Sequence, residues 1–535
     1  MKKRRFSTSV LTPLHTNLEW GDGSENTSVF NPTSVDTDQW IRTAKEAGFK
    51  LAILTVKHHD GFCLWPSAHT EQSIKNSPYK NGRGDIVREF TDSCRKYGMR
   101  VGFYFSPWDR NSKYWGKDEY SDYYAAQLTE LMTGYGEIDE VWWDGAGSSE
   151  TVYNWKMWHD IIKKHHPHAL MFGSFGATDY VSLRWVGNEA GYAGSTHYAS
   201  IDAESVRKER TVEMNSGKIL GDRYIPAEVD VSIRPGWFYH KSQSDKVKSP
   251  RELDNLYFNS IGRNAMLLLN FPPNRDGVVE DIDATRAIES HKRIEKMLER
   301  DLASGASVSA ESVYCEGTEP ENAFSENEEK FYAPKENRAT LHISLPEKRK
   351  FNVLLLSEVF ENGERIVSFS LKNADTEQLI CEGTSVGRKK MVKFKETEAK
   401  NLVLQVEALA TPMLRRFALY SYEAPPEIPG YKPQGNLLLE DGARYELIDN
   451  KTVIIYFGGI YDYNVVVFAT DKQAEFEAFS FDGSKYHSIY KGKTREGGGA
   501  YGFKVPTVSG TYQLKLVSSE PFNPTSAFNV HLKEN

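Results

Sequence analysis

Up to residue 300 the chain alternates short apolar runs with amphipathic stretches, and this alternation narrows its possible folds more than any other feature. Phe49 to Val56 is largely apolar and ends on Lys57-His58-His59-Asp60-Gly61. Val101 to Phe105 ends on Ser106-Pro107-Trp108-Asp109. An acidic lead-in at Asp139 runs through Val141-Trp142-Trp143 and stops on Asp144-Gly145. Comparable runs lie at Ala169 to Phe175, Leu183 to Asn188, Ala227 to Ile233 and Ala265 to Phe271. Short apolar runs bounded by turn residues read as buried strands. Between them, Asp36 to Gly48 has an N-capping Asp, apolar positions at helical spacing (Trp40, Ile41, Ala44, Ala47) and a terminating Gly. Asp85 to Tyr97, Tyr120 to Gly134, Val152 to His165, Pro250 to Gly262 and Asp281 to Arg300 also read as helices. Strands alternating with helices form a parallel sheet, and seven or eight strand candidates in this length favour a (β/α)8-like barrel. Residues just past the strands then share one face, where catalytic groups of such barrels collect.

After about residue 302 the helical periodicity stops. Short alternating runs take over at Thr340 to Leu345, Asn352 to Leu356, Arg365 to Leu371, Lys390 to Phe394, Asn401 to Val406 and Arg415 to Tyr422. Turn residues between them give the texture of a β-sandwich. Glu423 to Gly430 reads as a linker, and Leu437 to Asn535 is again β-rich. The expected organisation is a barrel over 1–302, a β-sandwich over 303–425 and a small β domain over 431–535. At 535 residues the chain is too long for one core. Neither β domain carries a ligand motif, so bracing the barrel is the expectation for both.

The net charge of −8, without a long basic run, argues against nucleic acid and anionic membranes as partners. No run approaches the roughly 20 apolar residues of a membrane span. Cys63, Cys94, Cys315 and Cys381 are too scattered for a zinc site or a disulfide framework. Met1 to Arg5 resembles a signal n-region, but no apolar h-region follows it. Oligomeric state is not legible.

The chemistry-bearing residues stand at the strand ends. Asp144 is placed as catalytic carboxylates of β/α barrels are placed, and Trp142 with Trp143 suggests a wall for a flat, partly apolar ring. His58 and His59 offer donors and acceptors suited to vicinal sugar hydroxyls. Adjacent histidines also bind metals, but no third ligand stands at metal-site spacing. Glycoside hydrolysis needs two carboxylates. Asp144 is one, and spacing leaves both Glu189 and Glu228 open as the other.

Five segments, taken in order, resemble α-L-fucosidases of glycoside hydrolase family 29: Lys57 to Trp65, Ser106 to Asp109, Trp142 to Gly145, Gly187 to Gly191 and Ser232 to Tyr239. They look most like the subgroup preferring α-1,3/1,4 branches. The resemblance covers residues 17–300 closely and 302–425 more loosely. It implies a retaining double displacement on fucosylated glycans, with no cofactor. Asp144 matches the family nucleophile and Glu189 the subgroup's general acid/base. His58 and His59 match the histidines that hold fucose hydroxyls. Trp142, Glu19 and Trp20 match the sugar cradle, Glu228 and Trp237 a motif facing the aglycone, and Arg184 a further substrate contact.

The chain departs from the family at its first strand, which normally reads like Phe-His-Phe-Gly-x-Asn-Thr-Phe. Phe6 to His15 stands there instead. Codons can be written for Phe6 to His15 that, read one base out of register, encode Phe-His-Phe-Gly-Val-Asn-Thr-Phe. A frame-shifted 5′ end is therefore an expectation, with an open barrel edge and a missing export signal among its consequences and a periplasmic or secreted location implied. A non-catalytic fucose-binding protein is the alternative that such damage would produce.

Overall fold

The computed structural model describes residues 8–9, 11–12, 21, 23–144, 151–173, 175–426, 428, 444–470, 472–481, 486–494, 496, 499–522 and 529–532. The first unit is a curled parallel sheet ringed by helices. Its strands are β1 (Thr8–Ser9), β2 (Leu11–Thr12), β3 (Leu51–Lys57), β4 (Arg100–Phe105), β5 (Glu140–Trp142), β6 (Leu170–Gly173) and β7 (Leu183–Trp185), followed, after the β8 (Ser200–Ile201) and β9 (Arg223–Tyr224) hairpin, by β10 (Ala227–Ser232) and β11 (Met266–Asn270). The order is β1-β11-β10-β7-β6-β5-β4-β3-β2. β1 pairs in parallel with β11 and β2 with β3. These two short segments thus occupy the edge where the altered sequence had made an open barrel the expectation.

The helices are α1 (Thr37–Glu46), α2 (Ile86–Tyr97), α3 (Tyr120–Gly134), α4 (Trp155–His165), α5 (Ala203–Arg207), α6 (Thr211–Ser216), α7 (Pro250–Asn259) and α8 (Asp281–Leu298). Their starts follow from local chemistry. Asp36 and Asp85 accept from the backbone N–H of Gln39 and Arg88, and Ser249 with Glu252 forms a reciprocal capping box ahead of Pro250. Strand side chains alternate between two cores. Val141 and Trp143 face outward to the helices, where Trp143 packs on Trp155. Leu51, Ile53, Tyr104, Trp142, Phe172, Leu183 and Leu268 fill the barrel interior.

The second unit is antiparallel: β12 (Ser307–Ala310), β13 (Arg338–Glu358), β14 (Ile366–Asn373), β15 (Leu379–Gly383), β16 (Lys390–Ala408) and β17 (Leu414–Tyr420) form one six-stranded sheet. The pairs of runs read as separate strands at 340–356 and 390–406 are single long strands, β13 and β16. Register shifts between Ser344 and Arg349 and between Phe351 and Val353 bend them, which breaks the alternation without ending the strand. This sheet packs on the barrel through Phe258, Ile294 and Met297 against Val353, Leu355, Met391, Ala418 and Tyr420. The third unit contains β18 (Arg444–Asp449), β19 (Thr452–Thr470), β20 (Glu475–Phe481), β21 (Tyr486–Lys493), β22 (Gly499–Ser518) and β23 (Asn529–Leu532), again one antiparallel sheet. Among the described residues no helix is long and apolar enough to cross a membrane.

Candidate active site

The residues past β3, β4, β5, β7 and β10 converge on one end of the barrel. Asp144, two residues beyond β5, is partly exposed. The Tyr104 hydroxyl on β4 donates to its Oδ2 at 2.7 Å. His59 Nε2 lies 3.6 Å from the same oxygen. Burial, and after it the Asp144 charge, pushes the Tyr104 phenol well above its ordinary value, so it stays a donor. Ser106 fixes the His59 tautomer. Its hydroxyl donates to the Trp108 carbonyl at 2.8 Å, so its oxygen takes the His59 Nδ1–H at 2.7 Å. Nε2 is left to face Asp144. His58 stacks on Tyr104 with ring centres 5.7 Å apart and meets Phe238 edge-on at 5.6 Å.

Glu189 reaches the same space from the loop after β7, and Trp237 Nε1 donates to its Oε2 at 3.3 Å. Desolvation in the cleft raises the Glu189 carboxyl above the usual range; the Asp144 charge adds to this and the Trp237 N–H opposes it. Glu189 remains solvent-accessible at the mouth, so water screens part of that shift. The site therefore brings together one carboxylate that accepts from Tyr104 and one pushed toward its acid form.

Other candidates read from the sequence fall elsewhere. Trp142 lies in the barrel interior, 6% exposed, stacked between Tyr104 (5.2 Å) and Phe172 (3.8 Å). Glu228 is fully buried on β10, where its Oε1 accepts the Trp142 indole N–H at 2.7 Å. It faces the barrel axis rather than an aglycone. Burial pushes its carboxyl up to about 7, and pushes Asp230, two residues on along the same inner face, well above the ordinary range. Trp143, expected beside Trp142 in a wall, points outward into the helical core. Arg184 is corrected as well. Strand alternation turns it away from the barrel, where it is fully buried and donates to the carbonyls of Met214, Ala199, Tyr198 and Ile225. Glu19 and Trp20 lie outside the described residues. Their neighbour Gly21 packs so tightly on Asp60 that a Cβ there would come within 2.6 Å of it. Among the described residues no group of three or more His, Cys, Asp or Glu is arranged to hold a metal ion. A cavity of about 830 Å³ between α8 and the second unit shares no lining residue with this site.

The family profile described as α-L-fucosidase matches residues 13–291. The chain is 39% identical to α-L-fucosidase 1 of Arabidopsis thaliana, over 76% of this chain and 82% of that protein. It belongs to the α-L-fucosidase family, glycoside hydrolase family 29. A family member from an unknown rumen bacterium superposes with a TM-score of 0.72 at 28% identity, covering 99% of this chain and 97% of that one. A Ruminococcus gnavus GH29 fucosidase in complex with fucose gives 0.71 at 31% identity over 78% and 92%. The protein is thus a glycoside hydrolase of α-L-fucosidase type, and no finding supports the non-catalytic reading.

Within an α-L-fucosidase barrel, several supporting residues escaped the sequence reading. Tyr104 and Ser106 contact the site directly, and Tyr104 was findable as the last inward position of β4. Behind the histidines, Lys57 forms a buried pair with Asp109 at 3.0 Å and donates to Gln127 at 3.0 Å. Asp109 also accepts from the N–H groups of Asn111 and Ser112. One buried cluster therefore fixes the loops after β3 and β4 together. Arg234 does the same for the Trp237 loop, bound bidentately to Asp283 of α8 at 2.7 and 3.0 Å.

Proposed function

We propose that this chain is a retaining α-L-fucosidase that releases terminal α-1,3/1,4-linked L-fucose from glycans. The observation that carries the proposal is the pairing at the barrel mouth. Asp144 is held by Tyr104 and faces His59, while Glu189 is close enough for the Asp144 charge to raise it. In this reading Asp144 attacks the anomeric carbon and Glu189 donates its proton to the leaving oxygen, giving a covalent fucosyl-enzyme. Glu189, now a carboxylate, takes a proton from a water whose oxygen bonds to the anomeric carbon, which breaks the Asp144–sugar bond, releases fucose and regenerates both groups. Retention calls for the two carboxyls about 5–5.5 Å apart. His59 Nε2 and the partly exposed His58 suit fucose hydroxyls, and the Phe238 ring offers apolar surface to the methyl group.

The branch preference rests on Trp237, which borders Glu189 and is itself fastened by Asn270 Nδ2 donating to its carbonyl at 2.9 Å. In this reading the Trp237 ring would border the leaving group, where a branched galactose would lie. Organisation into barrel (1–302), sheet domain (303–425) and terminal β domain (431–535) is part of the same proposal. The test is hydrolysis of an aryl α-L-fucoside and of α-1,2-, α-1,3- and α-1,4-fucosylated oligosaccharides, with the first-formed anomer followed by proton NMR. Release from the 1,3/1,4 branches with α-fucose formed first is expected. β-Fucose first would overturn retention, and preferred cleavage of the 1,2 linkage would overturn the branch preference.

A further inference from the structure

The loop that carries Glu189 leaves the barrel at the end of β7 and does not rejoin it until β10. Around Glu189 the loop is fixed locally. Asn188 Oδ1 accepts from the Ala190 N–H at 3.0 Å, and Asn188 Nδ2 donates to the Tyr192 carbonyl at 3.1 Å. On the barrel side, Arg263 donates to the Ala193 carbonyl at 2.7 Å. From Ser195 to Ser200 the loop lies between Arg184 of β7, which donates to the Tyr198 and Ala199 carbonyls, and the second unit. Thr196 Oγ1 bonds Thr384 Oγ1 at 2.7 Å, and the His197 N–H donates to Ser385 Oγ at 2.7 Å. Consecutive N–H groups of Ala199 and Ser200 donate to the two oxygens of Glu364 at 3.0 and 3.1 Å. Lys390 Nζ donates to the Ser195 carbonyl.

The Glu364 position demands its chemistry. Two adjacent backbone donors need two acceptors in one plane, and a carboxylate supplies them without bringing a donor of its own. Glu364 is 4% exposed, and its Oε1 also accepts from Asn264 Nδ2 at 2.6 Å. Asn264 in turn accepts the Arg388 N–H at 2.8 Å, so barrel, sheet domain and loop close into one hydrogen-bonded ring. Other polar ties join the second unit to α7, from Lys393 Nζ to Asn255 and from the Tyr422 hydroxyl to Asp254, whereas these bonds clasp the loop that carries Glu189. Buried polar groups cost free energy unless each is satisfied, so the loop holds these bonds only in one position against the second unit.

We propose that the second unit is part of the catalytic apparatus, and that Glu364, with Ser385 and Thr384, is a positioning residue for the loop that carries Glu189. This rests on reading Glu189 as the general acid/base. The clasp sets where the Glu189 carboxyl stands relative to the leaving oxygen, a placement whose error is felt in rate.

The test separates acid assistance from stability through the leaving group. Glu364→Gln puts an amide donor against an N–H donor, and Ser385→Ala removes one acceptor with little change in volume. With kcat/KM as the readout, Glu364→Gln is expected to lose roughly ten- to a hundredfold on a fucosylated trisaccharide, whose leaving oxygen must be protonated, yet stay within about twofold on an activated aryl fucoside. Ser385→Ala should show the same split in smaller form. Glu189→Gln, measured alongside, should show it in larger form. Equal losses on both substrates, or no loss in either clasp variant, beside a clear split in Glu189→Gln, would overturn the positioning role. No split in Glu189→Gln would instead overturn the reading of Glu189. If Glu364→Gln does not fold, the Ser385→Ala result decides.

Discussion

Each of the two carboxylates accepts a hydrogen bond from an aromatic side chain. Tyr104 spends its only proton on Asp144. Tyr104→Phe keeps the ring packed on Trp142 and His58 but removes that donor, which should lower kcat/KM by roughly tenfold, the worth of a hydrogen bond to a charged group. Steady-state rates on an aryl fucoside check it. Trp237 acts on the other carboxyl. Its N–H favours the ionised form of Glu189 and so holds that acid lower than desolvation alone would. Trp237→Phe removes the opposing contribution, so Glu189 should keep its proton to higher pH. The alkaline limb of the kcat/KM profile, where the general acid is lost, is expected to move to higher pH; a shift the other way would contradict the assignment.

At the level of elements, the site depends on ties behind the loops. Arg234 and Asp283 are both buried and paired. Asp283→Ala would leave an uncompensated guanidinium under the Trp237 loop, and a loss of about 3–5 kcal/mol in unfolding free energy is expected by denaturant titration. Such ties were invisible in the sequence, because 49 residues separate Arg234 from Asp283. The elements themselves were legible where capping and periodicity agreed. Asp36 and Asp85 marked helix starts, and the strand-end turns at Lys57-His58-His59 and Asp144 marked the open edge of the sheet. The reading failed where facing mattered. Arg184 and Trp143 read as substrate-facing, but both occupy outward positions of their strand segments, and a single residue's step along a strand exchanges core for barrel. The bulged strands β13 and β16 were read as fragments because a register shift hides the alternation.

Across the whole molecule, buried acids should shape the response to pH. Burial lifts Glu228 from 4.5 to about 7, lifts Glu358 to about 7, and lifts Asp230 well above its ordinary value. Each folded-state acid holds a proton that the unfolded chain has released. The folded state therefore binds more protons, and these groups lower stability as pH rises through that window, with the loss from the two glutamates complete above about 7. Glu228→Gln keeps an oxygen for the Trp142 N–H and cannot ionise. The variant should match the parent near pH 4.5 and gain on it up to pH 7, by about 2 °C or more in Tm. A parent–variant gap that stays constant from pH 4.5 to 8 would show that Glu228 does not titrate in this range.

A retaining mechanism turns on a covalent bond between Asp144 and the sugar. A fluorinated fucosyl fluoride that slows breakdown of the intermediate, followed by proteolysis and mass spectrometry, addresses it in one step. A fucosyl adduct on the peptide containing Asp144, absent from Asp144→Ala, is the predicted result. An adduct on Glu189 or Glu228, or turnover without any adduct and with inversion at the anomeric carbon, would contradict the account.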